Sequence, residues 1–581
     1  MKNVYFIVLD SLEGSALFSN RNNSKFIDRL SGKSLCGNNM YSEAPYTEAA
    51  LNCLLSSKHT LENNGHMMRL KDKKTFFEFF SESGYEVFLN HYYPSIVPSY
   101  VVPGATTNYY IEGYSFSHLV DYRLKYFSDL KKENKLENDE INLLTELLED
   151  NFKGWLKYLE LIKNNDTKLE LIIKKIEQKS IDESISVLKK EISKFNNDKS
   201  KYLDELLENL DGSPLNDIKK YNPTKEVIDI KIKKEIINRY KKTFKKIKRK
   251  QFYYNFKNVK FPLKKVLDSL KEKDILKAKG ILVSYKNLLI DKDIMDRISI
   301  NYEKMNLWPS FRKIAEHSLS YYETEKSPHM HYIHIDETHY PENFFTHDTN
   351  DFEILDKEFN KINDFLDNMP KDYKGTITKD LSILYCDGII EEIYNRLKKI
   401  DDFENTVLIL TADHGFSFNF YPFRHEYVNT FYKENYRVPY LFYTKNIKPN
   451  FNDKIYSTLD IAPTILDIAG LNIPKDYKGT SILKNKGRNF SYVEYMGGGC
   501  PDIKRKKINL GVRTENYSVY CKVKITEEIK ENIVEIYDLK KDPNEEKNLL
   551  KIKNQLKIHQ EIEILEKKLN KIKNEYQNQN S

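Results

Sequence analysis

The chain has 581 residues, of which 40% are hydrophobic and 13% are aromatic. This length exceeds one ordinary hydrophobic core, so we expect two or three structural units. Lysine and arginine number 93 and aspartate and glutamate 86, which leaves a formal net charge of +7. So small a surplus on a densely charged chain excludes a histone-like polycation and gives no indication that the whole protein binds nucleic acid.

The cysteines and the apolar runs bear on the cellular compartment. Five cysteines are scattered along the chain without a C-x-x-C pair. They match neither a disulfide framework nor a structural zinc site, and they favour a reducing compartment. The apolar run at residues 4–9 is too short for a signal-peptide core, and no run approaches the roughly 18 apolar residues of a membrane span. We therefore predict a cytoplasmic protein without a transmembrane segment.

The first 115 residues alternate between strand and helix patterns. Val4–Leu9 is a continuous apolar run, typical of a strand buried on both faces of a parallel sheet, and Asp10 follows it directly. Residues 48–57 have apolar residues at helical spacing, and Tyr85–Leu89 has the pattern of another strand. This part of the chain is therefore predicted to be α/β.

Residues 116–325 have a different pattern. Apolar residues recur at spacings of three and four, and glycine and proline are scarce, which predicts a helical insertion. Within it, residues 231–250 carry lysine or arginine at eleven positions against one acid, Glu235. This basic run is either a solvated helix face or a contact for a polyanion such as a charged glycan, a lipid surface or a nucleic acid.

After residue 326 the strand patterns return, again with acids at the strand ends. Tyr332–Ile335 ends at Asp336, and Val407–Thr411 ends two residues before Asp413. Because ligands of a parallel α/β sheet bind beyond the carboxyl ends of its strands, we expect these two aspartates and Asp10 at one crevice. Carboxylates with imidazole suit Zn, Mn, Mg or Ca. One strand-terminal aspartate alone would more often be a turn or cap residue.

Hydroxyl and imidazole groups near these strand ends are candidates for catalysis. Thr47 begins a predicted helix, where it is either an N-cap or a nucleophile that a metal cation activates. His414 directly follows the last of these aspartates and is a candidate metal ligand. His339 and His425 are candidates for the general acid that protonates a leaving alkoxide. The histidines at residues 329–334 are interpreted as surface or core residues.

The end of the chain has a short heptad pattern. Apolar residues from Ile558 to Ile572 recur at spacings of four and three. This seam could pair two chains in a homo-oligomer, or it could dock on the protein's own surface.

Several runs resemble motifs of sulfatases, within the alkaline phosphatase superfamily. LTADHG at Leu410–Gly415 is similar to the Asp-His-Gly metal turn, and YRVP at Tyr436–Pro439 is similar to the Arg-Val-Pro strand entry. STLDIAPTILDIAG at Ser457–Gly470 resembles a family signature over its whole length. Gly511–Thr514 and Ile536–Glu545 resemble the small C-terminal subdomain of sulfatases.

The resemblance covers about residues 1–115 and 326–550. It implies an α/β fold in which a large mixed sheet is sandwiched by helices, as in alkaline phosphatase. We therefore predict four parts, namely a split catalytic domain at 1–115 and 326–485, a Lys-rich helical insertion at 116–325, a small C-terminal α+β subdomain at 486–550, and a helical tail at 551–581.

The resemblance also implies roles for single residues. Asp10 matches the N-terminal metal aspartate, Asp413 and His414 match the metal pair, Thr47 matches the nucleophile, and His339 matches a substrate-contacting histidine. Together with the strand-end argument, the predicted metal set is Asp10, Thr47, Asp336, Asp413 and His414. The predicted catalytic set is Thr47, His339 and His425.

Departures from the sulfatase pattern bear on the substrate. Ala49 and Leu51 stand where the formylglycine maturation motif needs Pro and Arg, and Ser11 stands where true sulfatases have a second aspartate. A threonine nucleophile with this ligand set looks more like the phosphodiesterases and the phosphoglycerol or phosphoethanolamine transferases of the superfamily.

We therefore predict a metal-dependent, sulfatase-like hydrolase or transferase. Its substrate would be a phosphate ester, with a sulfate ester as the second choice, on a small molecule or a glycan. Two alternatives stay open: a binding module that has lost catalysis and uses its basic insertion, and a true sulfuric ester hydrolase.

Overall fold

The computed structural model describes residues 1–18, 23–61, 74–91, 105–107, 311–322, 328–339, 352–369, 373, 377–399, 403–416, 431–484, 486–496, 507–545 and 547–579, with parts of 124–250. Its strands are β1 (Asn3–Leu9), β2 (Leu35–Tyr41), β3 (Glu86–His91), β4 (Ala105–Thr107), β5 (His329–Ile335), β6 (Thr406–Thr411), β7 (Arg437–Tyr443), β8 (Asn450–Phe451), β9 (Tyr456–Ser457), β10 (Phe490–Tyr495), β11 (Lys507–Thr514), β12 (Tyr517–Lys524) and β13 (Ile533–Asp538). Its main helices are α1 (Lys25–Ser31), α2 (Thr47–Ser56), α3 (Phe76–Glu82), α4 (Asn138–Lys163), α5 (Gln178–Asn197), α6 (Lys199–Glu208), α7 (Phe311–Tyr322), α8 (Phe352–Asp367), α9 (Ile377–Leu397), α10 (Ile461–Ala469) and α11 (His559–Gln579).

Within the described residues, nine strands form one mixed sheet. The order is β4-β3-β5-β1-β6-β7-β2-β8, with β9 paired to β2. Strand β7 runs antiparallel to β6 and β2, whereas β1 runs parallel to both of its neighbours. The apolar run Val4–Leu9 is buried because β1 lies in the middle of this sheet. The predicted fold class, a large mixed sheet flanked by helices, is therefore confirmed.

The three strands that end in acids are adjacent. The order β5-β1-β6 is parallel throughout, and Val8 of β1 lies opposite His334 of β5 and Thr411 of β6. The chain therefore leaves all three strands at the same edge of the sheet, where Asp10 and Asp413 follow their strands. This edge is where loops of a parallel sheet converge on a ligand.

A second sheet forms near the end of the chain. Strands β10, β11, β12 and β13 pair antiparallel in sequence order. Helix α11 packs on this sheet through Leu565, Leu569 and Ile572, which share a core with Ile508 and Val523. The heptad seam thus docks on the protein's own surface, which was one of its two predicted roles. Pairing of two chains stays a prediction.

The insertion contains packed helices. Helices α4 and α5 contact each other, and Leu148, Phe152 and Phe195 are buried between them and α6. Most of the basic run lies outside the described residues; within the part that is described, Lys246 Nζ lies 2.7 Å from a carboxylate oxygen of Asp367. The polyanion contact and the boundaries of the four predicted parts stay predictions.

A helix that crosses a membrane must be both long and apolar, and the described helices differ from this pattern. None of them combines sufficient length with sufficient apolar character. The four cysteines of the described residues are buried thiols that form no disulfide within that part of the chain, and Cys500 lies outside it. The cytoplasmic location stays a prediction.

The run Ser457–Gly470 is structural. Asp460 accepts a hydrogen bond from the backbone N–H of Ser457 (3.0 Å) and pairs with the Arg488 guanidinium. Gly470 ends α10 with a φ of 76°, in the left-handed region that favours glycine. The motif that resembles the family most closely therefore forms the capping box of a 3-10 turn before α10 and supplies the glycine that ends this helix.

Asp387 holds a helix other than its own. It lies inside α9, and its carboxylate accepts hydrogen bonds from the backbone N–H groups of Phe26 (3.0 Å) and Ile27 (2.8 Å) at the start of α1. Ser24, the N-cap of α1, provides no side-chain cap. Burial raises the pKa of Asp387 to about 6, against the opposite effect of the two hydrogen bonds.

We expect the wild-type protein to gain stability relative to the Asp387→Asn variant as the pH falls from about 7 to about 4. The folded pKa of about 6 lies above the unfolded value, so the folded protein binds more protons in this interval. The measurement is the midpoint of thermal unfolding of both proteins at several pH values. A difference between the midpoints that does not change with pH would contradict this account.

Candidate active site

Five buried side chains meet at the edge of the sheet where β5, β1 and β6 end. Asp10 follows β1, His334 is the next-to-last residue of β5, Asp413 and His414 follow β6, and Thr47 is the first residue of α2. Each is at most 6% exposed. We call these five residues the Asp10 cluster.

The atoms of the Asp10 cluster lie close together. One ligand atom each from Asp10, His334 and Asp413 lies within 4.8 Å of the other two. His414 Nε2 lies 3.5 Å from Asp413 Oδ2 and 3.8 Å from Asp10 Oδ1. Thr47 Oγ1 lies 3.3 Å from His414 Nε2 and 3.4 Å from Asp10 Oδ2. A hydroxyl, two imidazoles and two carboxylates therefore share one buried site.

The backbone after β6 fixes the orientation of two cluster residues. Asp413 Oδ1 accepts hydrogen bonds from the N–H groups of Ser11 (3.1 Å) and His414 (2.8 Å). His414 Nδ1 lies 2.8 Å from the carbonyl oxygen of Gly415, to which only a protonated nitrogen can donate. The other ring nitrogen, Nε2, lies 3.3 Å from Thr47 Oγ1. A Cβ on Gly415 would lie 2.0 Å from the carbonyl oxygen of Glu434, so this close approach requires glycine.

The two carboxylates have opposite pKa shifts. Burial would raise the pKa of Asp10, but the positive charge of His339, followed by a hydrogen bond and charge from His334, holds it well below its usual range. Burial and the neighbouring Asp10 carboxylate raise the pKa of Asp413, against the effect of His414. Ionisation of both carboxylates at this separation is unfavourable, because their negative charges repel, unless a positive charge lies beside them.

The donor set fits a divalent cation. Asp413 Oδ2 is buried and accepts no hydrogen bond from the described residues. A buried carboxylate oxygen without a donor is costly unless a cation compensates for it. Asp10, His334 and Asp413 would hold the cation, and carboxylate and imidazole ligands suit Zn, Mn, Mg or Ca.

Four of the predicted site residues lie in the Asp10 cluster. The structure brings Asp10, Thr47, Asp413 and His414 together. Asp336 is half-buried and is not part of the group Asp10, His334 and Asp413. Its carbonyl oxygen accepts a hydrogen bond from the N–H of His339, which lies half-buried in the turn after β5. His425 lies outside the described residues, so its role stays a prediction.

His334 belongs to the cluster, although the sequence pattern did not single it out. The available signal was the position of His334 between two isoleucines near the end of a predicted buried strand. A buried imidazole needs a polar partner. Lys379 was missed as well. It is buried in α9, and its ammonium donates to the carbonyl oxygens of Ser11 and Thr338, which joins the loops after β1 and β5.

Two family models match the chain. Residues 285–471 match the model described as Sulfatase, and residues 425–575 match the model described as N-sulphoglucosamine sulphohydrolase, C-terminal. The first match includes His334, Asp413 and His414 but begins after Asp10 and Thr47. The matched part of the chain therefore supplies only some of the cluster residues.

Known proteins match the chain over short stretches. The N-acetylglucosamine-6-O-sulfatase of Bacteroides thetaiotaomicron is 30% identical over 195 residues, which cover 31% of this chain and 31% of that protein. The arylsulfatase K of Mus musculus is 32% identical over 131 residues, which cover 21% of this chain and 23% of that protein. The chain thus matches less than a third of the length of these relatives.

A solved structure, of a complex with its substrate D-glucosamine-2-N,6-O-disulfate, is also similar. It is 15% identical, with a TM-score of 0.46, and the alignment covers 99% of this chain and 98% of that chain. At this TM-score the similarity supports no inference about chemistry.

We expect His334→Ala to lower the affinity for a divalent cation by at least about tenfold, because it removes one of three clustered donors. Asp336→Asn is the matched comparison at the same sheet edge, and we expect it to keep the wild-type affinity. Calorimetric titration with Mn, Zn, Mg and Ca measures both. Wild-type affinity in His334→Ala, or loss of affinity in Asp336→Asn, would show that the ligand set differs from this one.

Proposed function

Because the chain is a sulfatase-like member of the alkaline phosphatase superfamily, we propose that it is a metal-dependent enzyme that cleaves a phosphate or sulfate ester through Thr47. The observation that carries this proposal is the place of the Thr47 hydroxyl. Thr47 Oγ1 lies 3.3 Å from His414 Nε2, which can take up its proton, and 3.4 Å from Asp10 Oδ2, whose carboxylate would hold the activating cation. Such contacts turn a weak nucleophile into a competent one.

Thr47 also lies where an anion is stabilised. It is the first residue of α2, a helix of ten residues, whose N-terminal N–H groups and dipole favour negative charge. A divalent cation bound by Asp10, His334 and Asp413 would polarise the ester and lower the pKa of the Thr47 hydroxyl. The contact with His414 Nε2 holds the hydroxyl in the site.

The proposed reaction has two steps. Thr47 Oγ1 attacks the phosphorus or sulfur atom, its proton passes to His414, and the bond to the ester oxygen breaks. His339 protonates the leaving oxygen, with His425 as the alternative donor. Water then attacks the threonine ester and releases the anion and the free hydroxyl. An acceptor hydroxyl in place of water would make the same chemistry a transferase reaction.

Phosphate is the first proposed substrate class. Thr47 cannot be converted to formylglycine, and Ala49 and Leu51 depart from the maturation motif. A threonine ester of phosphate is resolved by a second displacement of the same type. A sulfate ester on an amino sugar is the second candidate, and the name of the bacterial relative favours it.

We expect Thr47→Ala to lower turnover by about a thousandfold or more, since it removes the nucleophile. Thr47→Ser keeps the hydroxyl and should retain part of the activity. Ser56→Ala is the control, because Ser56 is a buried hydroxyl at the other end of α2 that donates to the Asn52 carbonyl oxygen. Initial rates with added divalent metal provide the comparison. Full turnover by Thr47→Ala would refute the nucleophile assignment.

The substrate class is tested with p-nitrophenyl phosphate, bis-p-nitrophenyl phosphate and p-nitrophenyl sulfate. We expect turnover of a phosphate ester that depends on Thr47. Turnover of the sulfate ester alone would favour the second candidate. If metal binds and all three substrates stay intact, a strict transferase or the predicted binding module is favoured instead.

A further inference from the structure

A second group of ionisable side chains lies away from the Asp10 cluster. Glu43 precedes α2, His59 follows it, and Glu494 lies in β10; one ligand atom of each lies within 4.8 Å of the other two. Both carboxylates are at most 1% exposed. Lys568 of α11 is also buried, and its Nζ lies 2.5 Å from Glu494 Oε2. We call these four residues the Glu43 network.

The cation of the Glu43 network is already supplied by the protein. Glu494 Oε2 pairs with the Lys568 ammonium, and Glu43 Oε1 lies 2.6 Å from His59 Nδ1. The remaining oxygens also have partners: Glu43 Oε2 accepts from the N–H of Thr60 (3.1 Å), and Glu494 Oε1 accepts from the N–H of Leu61 (2.9 Å). A metal ion would have to displace the ammonium, so we interpret the network as a fixed support.

The network holds both ends of the nucleophile helix. The Glu43 carboxylate binds Thr60 and His59 just after α2, while its own backbone lies four residues before Thr47. The carbonyl oxygen of Glu43 accepts a hydrogen bond from the N–H of Glu494 (2.8 Å). The segment before α2 and the segment after it are therefore both attached to β10.

A second contact ties the residue next to the nucleophile to the same strand. Tyr46 OH donates to the carbonyl oxygen of Met496, at 3.0 Å, and the Tyr46 ring packs edge-on against Tyr495. The direction in which Thr47 enters α2 therefore depends on the position of β10.

The packing of helix α11 places the Lys568 ammonium beside Glu494. Leu565 and Leu569, on either side of Lys568, are buried against the second sheet, and Lys568 Nζ lies 4.9 Å from the centre of the Tyr492 ring. The positive charge of Lys568 also lowers the pKa of Glu43. Burial would raise the pKa of Glu43, but His59 and then Lys568 lower it to about 2.

From these contacts we infer that Lys568 is a positioning residue for Thr47. It neutralises Glu494, which lets the two buried carboxylates hold the segments on both sides of α2 in one arrangement. The inference rests on the proposed function of Thr47, and it gives the C-terminal helix a part in the active site through the Glu43 network.

The test compares Lys568→Met with Lys567→Met. Lys567 is the neighbour on α11, is exposed, and pairs with Glu563 one turn away. We expect Lys568→Met to lower kcat of the Thr47-dependent turnover by about tenfold with little change in KM, because misplacement of a nucleophile affects the chemical step. Hydrogen exchange at residues 42–46 and 57–61 should become faster. Lys567→Met should match wild type in all three.

A double variant separates positioning from loss of packing. Glu494→Gln combined with Lys568→Met removes both charges, so no carboxylate stays buried without its cation. Relative to Lys568→Met alone, we expect the hydrogen-exchange rates at residues 42–46 and 57–61 and the kcat of this double variant to lie much closer to the wild-type values. If Lys568→Met alone does not fold, this double variant carries the comparison, and fast exchange at residues 42–46 in it would overturn the inference.

Failure of the positioning role of Lys568 and failure of the proposed function of Thr47 give different results. Equal exchange at residues 42–61 in Lys568→Met and Lys567→Met overturns the positioning role. If wild type shows no turnover that Thr47→Ala loses, the proposed function has failed, whereas the exchange comparison still supports or overturns the role of Lys568.

Discussion

The burial of two carboxylates side by side is the constraint on which the site depends. Asp10 and Asp413 are fully buried at the ends of adjacent parallel strands, and their pKa values shift in opposite directions. The sheet order makes this contact unavoidable, because β1 lies directly beside β6. The imidazoles of His334 and His414, the backbone donors at Asp413 and the hydroxyl of Thr47 are all arranged around that concentration of negative charge.

Much of this arrangement could be predicted from the sequence. An apolar run on each of β1, β5 and β6 predicts buried parallel strands, and their terminal acids are then predicted to meet at one edge. His334 could not be found in this way, because an imidazole inside a strand has the same local pattern whether it faces a ligand site or the core. Asp336 also follows its strand directly and satisfies the same pattern, but it is not part of the close group that Asp10, His334 and Asp413 form.

The C-terminal helix shows where periodicity stops being informative. A heptad pattern of apolar residues predicts that one face of a helix is buried, but it does not identify the surface that covers this face. Here the protein's own second sheet covers the seam of α11. The burial of Lys568 on that helix has no local signal at all, since its partner Glu494 lies 74 residues earlier in the chain. Contacts between residues so distant in sequence exist only after the fold has formed.

The two buried groups balance charge in different ways, and the difference explains their roles. In the Glu43 network, every carboxylate oxygen has a donor or an ammonium from the protein, so nothing needs to bind. In the Asp10 cluster, Asp413 Oδ2 has no donor among the described residues, and the hydroxyl of Thr47, the proposed nucleophile, lies beside the Asp10 carboxylate. A cation that is not part of the chain suits the second group and is superfluous in the first. The Glu43 network, whose charges the protein balances by itself, thus holds the segments on both sides of α2, while the Asp10 cluster, whose charges it does not balance, lies at the end of α2 that carries the proposed nucleophile.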